Sequence, residues 1–148
     1  MNKFAFRLET ALRLRLTQLK REKLTLQTLV FEETKLERLL LDLQAERLKA
    51  SSTLQSCSAI DAFELRALSA FNLGAEARKM SLKQQLARQA QLIGEARQHV
   101  MLAERNVRLL EKMREKERAE WQISWDRDLQ ANAEEAWTAA HFRPRRPE

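Results

Sequence analysis

Glycine and proline are nearly missing from this chain of 148 residues: there are two of each, Gly74, Gly94, Pro144 and Pro147. Average usage would supply roughly 10 and 7 at this length. Turns draw on those two residue types, so the chain lacks the punctuation for the many reversals of a β-rich or α/β domain. Tyrosine is absent and β-branched residues are few. Sandwiches, barrels, Rossmann folds and collagen are excluded. A single cysteine, Cys57, rules out an internal disulfide and suits the cytoplasm. No apolar run approaches the length of about 18 residues that a membrane span needs. The opening Met1-Asn2-Lys3-Phe4-Ala5-Phe6-Arg7-Leu8 turns charged too soon for a secretory signal.

Helix-forming material makes up the rest. Leu, Ala, Gln, Glu, Arg and Lys dominate, with 32% charged and 44% hydrophobic residues. The net charge of +6 comes from 27 basic against 21 acidic residues. The excess sits on two mixed-sign stretches, 1–50 and 76–112, and forms no single basic block. A heptad can be written over 5–50 with core positions Ala5, Leu8, Leu12, Arg15, Leu19, Glu22, Leu26, Leu29, Glu33, Leu36, Leu40, Leu43, Arg47 and Ala50. Ten of these fourteen are apolar, which marks a coiled-coil seam and predicts a first helix over 4–50.

Next along the chain comes the polar cluster Ser51-Ser52-Thr53-Leu54-Gln55-Ser56-Cys57-Ser58. Serines compete with helical hydrogen bonds and favour caps and turns, so the bend is placed at 51–60. Ser58 or Asp61 would then be the N-cap of a second helix, expected over 61–140. Gly74 is a candidate break in it, since glycine costs ~1 kcal/mol in a helix interior. The seam resumes at Leu82, Leu86, Gln89, Ile93, Ala96, Val100, Ala103, Val107 and Leu110, eight of nine apolar. It then meets Arg114 and Glu117, where the apolar heptad fails while helix propensity stays high. Apolar residues return in an i, i+4 row at Trp121, Trp125, Leu129, Ala133 and Trp137. The tail 141–148, with both prolines, ends the helix.

Two heptad stretches and one bend make an all-α fold, a long antiparallel two-helix coiled-coil hairpin forming a single domain, with the second helix longer than the first. A pivot near residue 56 pairs positions whose numbers add to about 112, which sets Leu12 opposite Val100. The first helix then runs out opposite residue 108, and the second continues alone for about 30 residues, roughly 45 Å.

The sequence offers no convergent chemistry. The two glycines cannot form a phosphate loop, and His99 and His141 have no partner histidine at helical spacing. Glu95 and His99 share a face at i, i+4, which is a surface pair and not a metal site. Cys57 has no neighbouring histidine or second cysteine to activate it. No catalytic, cofactor-binding or metal-binding residue is assigned, and the chain is not expected to be an enzyme. The run from Glu111 to Glu120 alternates Lys112, Arg114, Lys116 and Arg118 with Glu111, Glu115, Glu117 and Glu120. Such pairs support an exposed helix, or present a charged contact surface. A bZIP would need a contiguous basic helix ahead of the heptads, and none is present. The aromatics carry more: Phe63 and Phe71 lie after the bend, where packing at the apex accounts for them. Trp121 and Trp125 have no intramolecular partner in the expected hairpin beyond Phe4 and Phe6, and buried aromatics are common interface anchors.

The opening Lys3-Phe4-Ala5-Phe6-Arg7-Leu8-Glu9-Thr10-Ala11-Leu12-Arg13-Leu14-Arg15 resembles the start of the bacterial FliJ family, components of flagellar type III export. The ending with Trp121 and Trp125, closing on Arg143-Pro144-Arg145-Arg146-Pro147-Glu148, is similar to that family's C-terminal region. The resemblance implies a coiled coil like the helical pair of the rotary ATPase γ stalk. It implies that the helix-terminal end, Phe4, Phe6, Leu8, Trp121 and Trp125, contacts the export ATPase hexamer, and that the segment after the bend, Phe63, Leu68, Phe71 and Ala75, contacts the cytoplasmic region of the export gate. Export chaperones are further implied partners, and nucleic acid is not. The location implied is the cytoplasm, with recruitment to the membrane face at the flagellar base through partners, and the free chain is expected to be an elongated monomer. Injectisome stalk proteins share this architecture; the Phe-x-Phe-Arg-Leu opening favours the flagellar branch. The alternative from another class is a homodimeric coiled-coil scaffold or nucleic-acid binder.

Overall fold

The computed structural model describes residues 3–142. It is an all-α helical hairpin of two helices, α1 (Glu9–Gln55) and the longer α2 (Ala62–His141). No strand occurs among the described residues, and no helix there is long and apolar enough to cross a membrane. Contacts gather into two units: one takes residues 3–18 with 103–142, the other Leu19–Leu102.

In the unit Leu19–Leu102, α1 and α2 pack antiparallel along the heptad. Over 19–50 the residues shielded from solvent are Leu19, Glu22, Leu26, Leu29, Glu33, Leu36, Leu40, Leu43, Arg47 and Ala50, and no others. Leu43, Ala75, Ile93 and Ala96 are buried. On α2 the shielded residues of this unit recur at the same spacings, from Asn72 and Ala75 through Leu82, Leu86 and Gln89 to Ile93, Ala96 and Val100.

The bend forms later than the serine cluster suggested. The hydroxyls of Ser52 and Thr53 both donate to the Lys49 carbonyl, and that of Ser56 donates to the Thr53 carbonyl. Back-bonded hydroxyls of this kind are compatible with helix, and α1 runs through the cluster to Gln55. The turn then occupies 56–61. Asp61 caps α2: its carbonyl accepts the Leu65 N–H at 3.2 Å, and its own N–H donates to the Glu64 carboxylate at 3.4 Å, half of a capping box. Beyond it α2 runs unbroken through Gly74 and Gly94.

The pairings follow the later bend. Arg47 meets Glu76, and Gln89 meets Leu29 and Glu32. In the other unit Glu9 meets Arg114 and Phe4 meets Trp121. The paired numbers add to between 118 and 125, so the pivot lies at the Asp61 cap and not near residue 56. By the register of the Glu9–Arg114 pair, Leu12 therefore stands opposite about residue 111 of α2 and not opposite Val100.

In the unit formed by 3–18 and 103–142, α1 starts at Glu9, not at Phe4. The lead-in alternates: Phe4 is half-buried, Ala5 exposed, Phe6 buried, Arg7 exposed and Leu8 half-buried. Residues 3–6 belong to no helix and Arg7–Leu8 form a turn in which the Glu9 N–H donates to the Phe6 carbonyl at 3.2 Å, so the helical heptad does not apply there: Phe6 is buried and Ala5 exposed. Arg15, given a seam position by the heptad, is also exposed. Leu12, 2% exposed, is the most deeply buried large side chain, and Ala103 and Val107 of this unit are also buried.

Candidate functional site

The helix-terminal end is built from the lead-in before α1 and the C-terminal part of α2. The rings of Phe4 and Trp121 lie 6.0 Å apart at 56°, and those of Trp121 and Trp125 lie 5.1 Å apart at 31°. Both separations lie in the range where tilted aromatic pairs attract. The i, i+4 spacing stacks the two tryptophans along one face of α2, and the alternation of the lead-in delivers Phe4 to them. The five terminal candidates, Phe4, Phe6, Leu8, Trp121 and Trp125, thus belong to one unit. Phe6 is shielded within it, 8% exposed, while Phe4, Leu8, Trp121 and Trp125 keep part of their surface in solvent.

The seam does not end at Leu110. Arg114, Glu117, Trp121 and Trp125 continue it as half-buried residues at spacings of three and four. Arg114 reaches the Glu9 carboxylate at 3.8 Å. A charged side chain can hold a seam position there because its stem covers the apolar surface while its head stays wet. Since Trp121 is paired with Phe4, the unaccompanied part of α2 is 126–141, about 16 residues or roughly 24 Å, against the 30 residues expected. Every residue in it is exposed. Within it Trp137 stacks on His141 at 4.3 Å and 25°, and His141 Nδ1 lies 2.9 Å from the Trp137 carbonyl oxygen. The only signal for this pair in the sequence is its i, i+4 spacing, which apolar periodicity passes over because histidine is polar. The residues 143–148 of the C-terminal resemblance lie outside the described residues.

The candidates after the bend are not equivalent. Phe63 is 76% and Phe71 40% exposed, whereas Ala75 is 4% exposed and packs in the seam. Leu68 is half-buried. Ala75 is therefore a packing residue, and the accessible apolar set here is Phe63 and Phe71 with Ile60, Leu65 and Leu73. Cys57 is exposed in the turn, and its thiol lies 3.4 Å from the Thr53 carbonyl. Glu95 and His99 are both exposed, with no ion pair between them. Among the described residues no three His, Cys, Asp or Glu side chains gather closely enough to hold a metal ion. One surface groove is lined by Leu39, Leu43, Glu46, Arg78 and Leu82 among others.

Comparison with known proteins finds no matching family model, no matching curated protein and no matching solved structure.

Proposed function

We propose that this chain is a non-enzymatic stalk of the flagellar type III export apparatus. Its helix-terminal end binds the export ATPase hexamer and promotes the ring's assembly and activity. Phe63, Leu68 and Phe71 meet the cytoplasmic region of the export gate, and export chaperones are further partners. It acts in the cytoplasm as an elongated monomer, recruited to the flagellar base by those partners. Support comes from the Phe-x-Phe-Arg-Leu opening and from two unequal antiparallel helices. The observation that carries the reading is the stretch 126–141, a helix with no companion from α1 that exposes Leu129 and Trp137. A bare helix with an apolar row is unstable in water on its own, so it is best explained by a partner that receives it. The monomeric state is supported by α2 covering the heptad face of α1.

The test is a chain ending after Trp125, which keeps the Phe4–Trp121 contact. It should retain its helical circular dichroism signal per residue and lose stimulation of the export ATPase. A shortened chain that stimulates the ATPase as well as the full one refutes the proposal.

A further inference from the structure

The outward face of α1 over 20–38 has a composition that the seam does not require. Leu24 and Phe31 are 55% and 59% exposed, lie seven residues apart and point away from the shielded positions Leu19, Glu22, Leu26, Leu29, Glu33 and Leu36. Between and beside them stand Thr28 and Thr34, whose hydroxyls are spent on the Leu24 and Val30 carbonyls at 3.0 Å. Those threonines therefore offer no free hydroxyl donor to the surface. The positions 24, 28 and 31 follow spacings of four and three, so they form a straight apolar line along the helix.

Cations frame this line. Lys20 and Arg21 lie at one end and Lys35 and Arg38 at the other, all exposed. None of the four has a carboxylate within ion-pair distance among the described residues, and Lys35 Nζ instead sits 4.6 Å from the centre of the Phe31 ring. The acidic residues of this stretch lie elsewhere on the helix. Glu22 and Glu33 are in the seam, Glu32 accepts a bond from Gln89, and Glu37 falls on the flank by its spacing. A narrow apolar line flanked by unopposed positive charge matches a rod of α-helical pitch bearing carboxylates beside its own apolar stripe. A bilayer surface would call for a broader apolar face, and nucleic acid would leave Leu24 without a use.

We propose that this face of α1 docks an acidic amphipathic helix of a partner protein, with Leu24 and Phe31 as anchors and Lys20, Arg21, Lys35 and Arg38 as its charge partners. The site is separate from the terminal end and from the segment after the bend, and stands whether or not the stalk reading holds. It is tested on the full chain by fluorescence anisotropy with a labelled synthetic peptide of Leu–Glu heptad repeats at physiological ionic strength. Saturable binding is expected, weakened at least about tenfold in the Leu24→Ser/Phe31→Ser double variant and likewise in Lys35→Glu/Arg38→Glu. A peptide with Gln in place of Glu should bind as weakly as the variants do. All four substituted residues are exposed, so circular dichroism should show unchanged helix content. Equal binding by wild type and the double variant overturns the proposal. So does tighter binding, with the same variant sensitivity, of phosphatidylcholine vesicles containing one-third phosphatidylserine or of single-stranded DNA.

Discussion

Gln89 on α2 donates its Nε2 to the backbone carbonyl of Leu29 on α1 at 2.9 Å. The residue is 8% exposed, the one buried polar residue among those described, and a second, longer bond of 3.4 Å runs to the Glu32 carboxylate. An amide that must find one carbonyl on the facing helix fixes which residues are opposite, as buried polar residues do in coiled coils.

Gln89→Ala should therefore lower the unfolding free energy by about 1–2 kcal/mol, since it removes the bond and opens a small cavity. Gln89→Leu should fall within about 1 kcal/mol of wild type, because apolar burial offsets the lost bond. Urea denaturation measures both. A neutral Ala variant would mean that the hydrogen bond contributes nothing to the pairing.

The two interior glycines give a prediction of opposite sign. A Cβ added at Gly74 or Gly94 would meet nothing within 4 Å, and neither glycine has positive φ. Alanine at either site should then stabilise the chain by the helix-propensity difference, about 0.8–1 kcal/mol. The sites are 20 residues apart on one helix, so the double variant should gain close to the sum. Thermal and urea unfolding would expose a loss at either site as a clash or a functional bend that the structure does not contain.

Legibility in the sequence varied along the chain for the same physical reasons. All ten heptad positions over 19–50 are shielded, and over 82–110 the nine assigned positions are joined only by Glu104. Periodicity reports burial well where two long helices run side by side, because burial there depends on angle alone. It failed at three kinds of place. Phe6 is buried ahead of the helix start at Glu9, where a helical period misassigns residues that are not helical. The pivot moved to Asp61 because Ser and Thr hydroxyls bonded back into α1, where their composition argued for a stop. Arg114 and Glu117 hold seam positions that an apolar count does not register. Of the residues assigned to the terminal end, the grouping was legible from the hairpin topology. The burial of Ala75 was not, because the apolar seam was picked up only from Leu82 onward.

The ring contact between Phe4 and Trp121 should appear as a coupling energy. Phe4→Ala, Trp121→Ala and the double variant form a cycle whose interaction term is expected to be about 0.5–1.5 kcal/mol. Phe6→Ala should cost more than Phe4→Ala in the same denaturation experiment, because Phe6 is the buried member of the alternation. Additive losses for Phe4 and Trp121 would show that the lead-in does not hold its position against α2 in solution.

Trp137 separates stability from binding. It is 60% exposed and its ring stacks on that of His141 one turn away. Trp137→Ala should leave the unfolding free energy within about 0.5 kcal/mol of wild type, as surface substitutions do. On the stalk reading the same variant should lower stimulation of the export ATPase, because it removes the largest apolar side chain from the unaccompanied stretch. Phe6→Ala should show the reverse balance, with a clear stability loss and its stimulation recovered at a temperature where the variant is folded. Stimulation that survives Trp137→Ala unchanged would show that Trp137 is not the contact through which 126–141 acts.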